Sequence, residues 1–224
     1  LEAGKYAPSL KKREGPPEAA GALADIPLAP TDTSLLRPIH RVAVIGGGQM
    51  GAAFAMTAAL RGLLVTVRDV NDEALDRAKA RVEQGIAGAL KRRKLDEPGA
   101  AALRDRITYT TDLSQTVEGA DVVFEAVFED PDVKRALYAE LTPLLGPDVV
   151  VLTNTSSISV DELAPASVNP AMVGGMHLFD PVWSARLVEV VQREGADPRV
   201  KEQTLALVRT LGKEPVIVRN RPAF

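Results

Sequence analysis

The chain contains no cysteine and only two histidines, His40 and His177. The missing thiols exclude a disulfide scaffold, a thiol nucleophile, an iron–sulfur cluster and a Cys-ligated zinc site. Two histidines exclude a multi-histidine metal site, and no metal is expected. Any imidazole chemistry therefore rests on His40 or His177. Aromatic residues make up 4% of the chain, too few for stacking platforms along single-stranded nucleic acid. Neither sign of charge dominates: 27 Lys and Arg stand against 30 Asp and Glu, a net −3. That balance points to no nucleic-acid partner. No run of about 20 apolar residues is present, so no membrane span is expected. A reducing, cytoplasmic location is compatible with the lack of cysteine.

What is present is a foldable chain. It has 224 residues, 46% of them hydrophobic, enough to bury a core without cross-links. Residues 1–39 read as a Pro-rich linker or the edge of a preceding domain. Pro8, Pro16, Pro17, Pro27, Pro30 and Pro38 break any long helix there. The first residue is Leu1, which suggests a processed product or a piece of something longer. From residue 40 to 224 the pattern is that of a folded domain. Short apolar runs at 41–45, 63–67, 106–110, 121–127, 149–153, 172–176, 187–191 and 215–218 read as strands. Residues 49–60, 71–93, 131–145, 161–164 and 198–211 read as helices. Strands alternate with helices, and several strands are apolar on both faces. The expected fold is α/β of the Rossmann type: a doubly wound, mostly parallel sheet with helices on both faces.

Gly46-x-Gly48-x-x-Gly51 falls between the first strand and the first helix. The first glycine permits a tight turn, the second lets a pyrophosphate approach the backbone, and the third lets helix pack on strand. The helix that opens with Gln49 and Met50 then points free N–H groups and a positive dipole end at the phosphates. Asp69 ends the second strand. A carboxylate there accepts hydrogen bonds from the ribose hydroxyls and repels a 2′-phosphate, which favours NAD over NADP. Arg68 is the one dissenting charge.

Four further segments stand out: Phe124-Glu125-Ala126-Val127-Phe128-Glu129-Asp130 with Lys134, Asn154-Thr155-Ser156-Ser157, Gly175-Met176-His177-Leu178-Phe179-Asp180-Pro181, and Leu187-Val188-Glu189-Val190-Val191. Read with the glycine fingerprint, they resemble the NAD-binding domain of 3-hydroxyacyl-CoA dehydrogenases, from about Arg41 to Phe224. The resemblance implies His177 as the catalytic base and Glu189 as the carboxylate that orients it. It implies Ser156 as the hydroxyl that touches the substrate oxygen beside the nicotinamide. Glu129, Lys134 and Asp180 join Gly46, Gly48, Gln49, Met50, Gly51, Asp69 and Ser156 as cofactor-binding positions, with Lys134 near the ribose. Lys91, Arg92, Arg93 and Lys94 lie where the family's second helix approaches the CoA nucleotide, with Arg92 as the substrate-binding residue. The implied reaction is NAD-dependent oxidation of L-3-hydroxyacyl-CoA to 3-ketoacyl-CoA in fatty-acid β-oxidation.

The chemistry of these residue types agrees. Oxidising a secondary alcohol needs a hydride acceptor and a base for the hydroxyl proton. Histidine suits the second task because its ordinary pKa lies near neutrality, and a neighbouring carboxylate can fix its tautomer. Blander readings remain. His177 could be a satisfied structural histidine and Glu189 a strand-edge acid. Ser156 could merely start a turn. Glu129 could cap the helix that begins at Pro131, and Lys91–Lys94 could be a solvated helix end. His40 has no partner in view.

Two departures from the family matter. Asp180 stands where an Asn is usual, and an ionised acid can only accept hydrogen bonds. Trp183-Ser184-Ala185-Arg186 replaces a Pro- and Met-containing stretch. Pro222-Ala223-Phe224 resembles the start of the segment that leads into the family's helical C-terminal domain. The expectation is thus a domain cut before that second domain, binding NAD without turnover by itself, from an active parent with an acyl-CoA substrate, a possible fused enoyl-CoA hydratase domain and a homo-oligomeric state. The alternatives are a non-catalytic NAD-binding module and a β-hydroxyacid dehydrogenase acting on a small free acid.

Overall fold

The computed structural model describes residues 33–221. Eight strands form one sheet: β1 (Arg41–Ile45), β2 (Leu64–Arg68), β3 (Ile107–Thr110), β4 (Val122–Glu125), β5 (Val150–Thr153), β6 (Val173–Leu178), β7 (Leu187–Gln192) and β8 (Glu214–Arg219). The helices are α1 (Gln49–Leu60), α2 (Asp72–Lys91), α3 (Glu97–Asp105), α4 (Leu113–Val117), α5 (Pro131–Leu141), α6 (Val160–Leu163) and α7 (Pro198–Thr210). The strand order is β3-β2-β1-β4-β5-β6-β7-β8. Neighbouring strands are parallel except β6 and β7, which run antiparallel.

Strand period decides the layering. In β1, Val42 and Val44 point into one core, with Phe54, Ile86 and Leu103, while Ala43 and Ile45 point into the other, with Tyr138, Leu141 and Val151. Alternate residues of a strand face opposite sides of its sheet. A strand apolar at every position therefore needs a cover on each face. Helices α1, α2, α3 and α7 contribute to the first core, and α5 and α6 to the second. Phe54 of α1 stacks on Phe124 of β4 with ring centroids 3.9 Å apart, and both are wholly buried. Truncating either ring to alanine costs about 3–5 kcal/mol by the usual cavity argument.

Helix starts follow their capping residues. Asn71 accepts from the Ala74 N–H at 2.9 Å and opens α2. Asp96, Asp112, Asp130 and Asp197 do the same for α3, α4, α5 and α7. Two of these helices, α3 and α4, fall in stretches where the sequence gives no helix. The expected helix over 131–145 ends at Leu141 and continues as a 3-10 turn, Thr142–Leu144. The strand expected to end at 176 runs on to Leu178, so His177 lies within β6 rather than after it.

Of the stretch expected to be a linker, residues 1–32 lie outside the described residues, as does 222–224. Thr33–Leu35 forms a 3-10 turn, and Arg37 is ion-paired to Asp148 at 2.7 Å, so this last part is tied to the domain. Among the described residues no helix is long and apolar enough to cross a membrane.

Candidate dinucleotide and alcohol-oxidation site

The chain leaves β1 for β2 on one side and returns to place β4 on its other side, so a crevice opens beyond the ends of β1 and β4. Ligands of open α/β sheets gather at such a switch point. Gly46 sits there with φ +99°, and a Cβ on it would stand 2.5 Å from the Ala126 carbonyl oxygen. A Cβ at Gly51 would stand 1.8 Å from the Gly46 carbonyl oxygen, so α1 packs against the loop only as glycine. Gly48 is different: a Cβ there would meet nothing within 4 Å. Its face is open to the crevice, and no side chain caps the N-terminus of α1. These are the properties a diphosphate needs from the backbone.

Asp69 is wired into the same loop. Its Oδ2 accepts from the Gly47 N–H at 2.8 Å and its Oδ1 from the Val70 N–H at 2.8 Å. Gly47, which the sequence pattern leaves unassigned, is thus a working member: a Cβ on it would come within 2.5 Å of the Ala78 Cβ.

The second wall is a turn held by one carboxylate. Glu129 Oε1 accepts from the Thr155 hydroxyl at 2.5 Å, the Ser156 N–H at 2.9 Å and the Ser157 N–H at 3.1 Å. Burial pushes the Glu129 carboxyl up, but these donors and the Lys134 ammonium together hold it below the usual carboxylate range. The reading of Glu129 as a helix cap is corrected here, because Asp130 accepts from the Asp132 and Val133 N–H groups and fills that position. Beneath the turn, Lys134 is buried. Its Nζ lies 2.6 Å from Glu125 Oε1 and 3.4 Å from Glu129 Oε2. Glu125 also accepts from the Thr153 hydroxyl at 2.7 Å and the Val127 N–H at 2.9 Å. An acid in the otherwise apolar strand β4 was the available signal for this network, since a buried charge requires partners.

His177 and Glu189 meet across the sheet rather than through a tight connection. They are directly opposite in the antiparallel β6–β7 pair, and His177 Nδ1 lies 2.7 Å from Glu189 Oε2. The link between the strands is the whole of residues 179–186. Phe179 lies tilted against the imidazole, ring centroids 4.7 Å apart, and Asn154 Oδ1 accepts from the Leu178 N–H at 3.0 Å. Neither Phe179 nor Asn154 carries a sequence-predicted role.

One cavity of about 1050 Å³ is lined by Gly46, Gly48, Gln49, Met50, Asp69, Glu129, Lys134, Ser156, His177 and Asp180. Gly51 and Glu189 do not line it. An adjoining cavity of about 510 Å³, between α1, α2 and the 179–186 loop, is lined by Arg92 with Arg81, Lys94 and Trp183. Gln49 and Asp180 line both spaces. His40 takes no part. Its backbone N–H donates to Asp121.

A switch-point crevice with an open glycine turn, an acid wired to it and, on the far wall, an imidazole backed by a carboxylate define a Rossmann-type dehydrogenase domain. More particularly, the chain belongs to the family of the 3-hydroxyacyl-CoA dehydrogenase NAD-binding domain, whose profile matches residues 41–221. NAD is the cofactor of that family, and the open face at Gly48 and the placement of Asp69 fit it. The chain is 37% identical over 186 residues to 3-hydroxyadipyl-CoA dehydrogenase of Escherichia coli, covering 83% of this chain and 39% of that one. It is 34% identical over 197 residues to the fatty acid oxidation complex subunit alpha of Psychrobacter arcticus, covering 88% and 27%. Among solved structures, (S)-3-hydroxybutyryl-CoA dehydrogenase of Ralstonia eutropha superposes with a TM-score of 0.81 at 32% identity, over 84% of this chain and 66% of that one. The chain spans between 27% and 64% of the length of the curated relatives it matches.

Proposed function

We propose that this domain serves NAD-dependent oxidation of an L-3-hydroxyacyl-CoA to the 3-ketoacyl-CoA, in a protein where it is joined to the remainder of the relatives' length. The observation that carries the proposal is His177 on the wall of the same cavity that the glycine turn opens into, with Glu189 behind it at 2.7 Å from Nδ1. Gly46, Gly47, Gly48 and the start of α1, with Gln49 and Met50, hold the diphosphate, and Asp69 accepts from the adenosine ribose. Glu129, Lys134 and Asp180 complete the cofactor's surroundings. Lys134, spent on two carboxylates, acts chiefly by fixing Glu129. Bound NAD supplies the hydride acceptor. His177 takes the hydroxyl proton at Nε2, because Nδ1 is engaged by Glu189, and the carboxylate stabilises the imidazolium as it forms. Ser156, on the turn that Glu129 holds, gives the substrate oxygen a hydroxyl partner. Arg92, at the end of α2, faces the CoA nucleotide. We place the protein in fatty-acid β-oxidation in the cytoplasm.

The intact His–Glu pair favours this reading over a non-catalytic NAD-binding module, which Asp180 alone would suggest. The test is reduction of acetoacetyl-CoA by NADH in the full-length protein, beside calorimetric NADH binding to the 224-residue chain. Binding with turnover supports the proposal. Binding without turnover favours the non-catalytic module.

A further inference from the structure

Trp183 is the only tryptophan in the chain, and 56% of it is exposed. The loop that carries it is nonetheless fixed. The buried ammonium of Lys213 donates to the carbonyls of Val182 and Ala185, the latter at 2.6 Å. The Ser184 and Ala185 N–H groups both return to the Pro181 carbonyl, at 3.0 and 2.9 Å, and Arg186 pairs with Glu214 at 2.7 Å. The indole is therefore held out on a braced loop.

It is held against α2. The Arg92 guanidinium carbon lies 4.7 Å from the centroid of the Trp183 rings, a cation–π contact. Gly88, one turn back, leaves room for that guanidinium: a Cβ there would already stand 3.3 Å from both its terminal nitrogens. Trp183 and Arg92 line the cavity of about 510 Å³, Arg81 and Lys94 add two more cations, and Asp180 joins it to the dinucleotide cleft. The floor is apolar, with Ala52, Met56 and Leu95, so an exposed aromatic face and three cations around it suit a flat heteroaromatic ring that carries phosphates.

We propose that Trp183, backed by Arg92, is a stacking clamp for the purine ring of the CoA nucleotide, and so a determinant of affinity for that end of the substrate. This rests on the CoA-thioester reading above. The ring retains surface for a second stacking partner beside Arg92, and Arg81, Arg92 and Lys94 stand where the phosphates would meet them. A base stacked on an aromatic side chain is worth about tenfold or more in affinity when the ring is removed.

With a single tryptophan among three tyrosines, fluorescence excited selectively at the indole reports on this loop alone. Titration with CoA is expected to quench it, while pantetheine, which lacks the nucleotide, leaves it unchanged. By calorimetry, Trp183→Ala should weaken CoA binding about tenfold and Trp183→Phe by about two- to threefold, with NADH affinity unaltered in both. CoA binding that leaves the fluorescence unchanged and is equally tight in Trp183→Ala overturns the clamp but not the CoA reading. Absence of CoA binding to the unmutated chain, or a response to NAD alone, overturns both at this cavity.

Discussion

Asp69 and Gly47 are joined by a 2.8 Å hydrogen bond from the glycine N–H to the carboxylate, so the end of β2 and the turn after β1 behave as one unit. The acid holds the turn, and in the proposed function it also faces the ribose. Asp69→Ala should therefore lower NADH affinity by about tenfold, the scale of a lost charge-assisted hydrogen bond. It should also narrow the preference for NADH over NADPH. Parallel titrations of both cofactors check this. Equal affinity for the two in the unmutated chain would remove the ribose role of Asp69.

His177→Gln in the full-length protein should reduce kcat by about 10²–10⁴, the usual worth of a positioned base, with little change in NADH affinity. Glu189→Gln should reduce it less, since the imidazole stays in place on β6. Near-normal turnover of the His177 variant would mean that another group takes the proton.

Lys134→Met leaves the carboxylate of Glu125 buried with no cation beside it. Both side chains of this pair are sealed from solvent, at 1% and 0% exposure. Breaking such a pair costs about 3–5 kcal/mol. Urea denaturation of the 224-residue chain should show that loss, and NADH affinity should fall with it as Glu129 loses its anchor.

Acid sensitivity should trace in part to Glu129. Its carboxyl is held below the usual range in the folded state, so the stabilisation is complete above the unfolded value of about 4.3. It is lost as pH falls through the lower folded value. Asp197, held at about 2 by Arg199, contributes in the same direction. Thermal unfolding from about pH 6 to pH 3 should therefore show a shallower decline for Glu129→Gln than for the unmutated chain. Identical curves would take Glu129 out of the acid response.

Much of this was visible in the residues. The glycine turn and Asp69 carry a local pattern whose physical requirements leave few options, whereas His177 and Glu189 were marked by the family resemblance. The strands were visible because they are apolar on both faces. The short helices α3 and α4 were not. Only Ala100 and Leu103 of α3, and Thr116 and Val117 of α4, are buried, so neither shows a periodic stripe over enough turns. The Glu125–Lys134–Glu129 chain was hidden for another reason. Its members sit on two elements and a loop, and only the sheet register sets Thr153 beside Glu125. The blander reading of Glu129 as the α5 cap falls to Asp130, because adjacent acids before a proline look alike until their side chains are seen.

The reversal of β7 has a consequence for how the site can be lost. Loop motions open readily, whereas a strand bonded on both sides opens only when the sheet itself gives way. Glu189 faces His177 on one side and Val216 of β8 on the other, in the middle of three paired strands. The His177–Glu189 pair is therefore expected among the slowly exchanging parts of the molecule. Its amides should be protected from solvent deuterium about as long as those of β1 and β4, while the turn at Ser156 exchanges early. If the turns do exchange first, the glycine turn and the Ser156 turn would open while His177 and Glu189 stay in register.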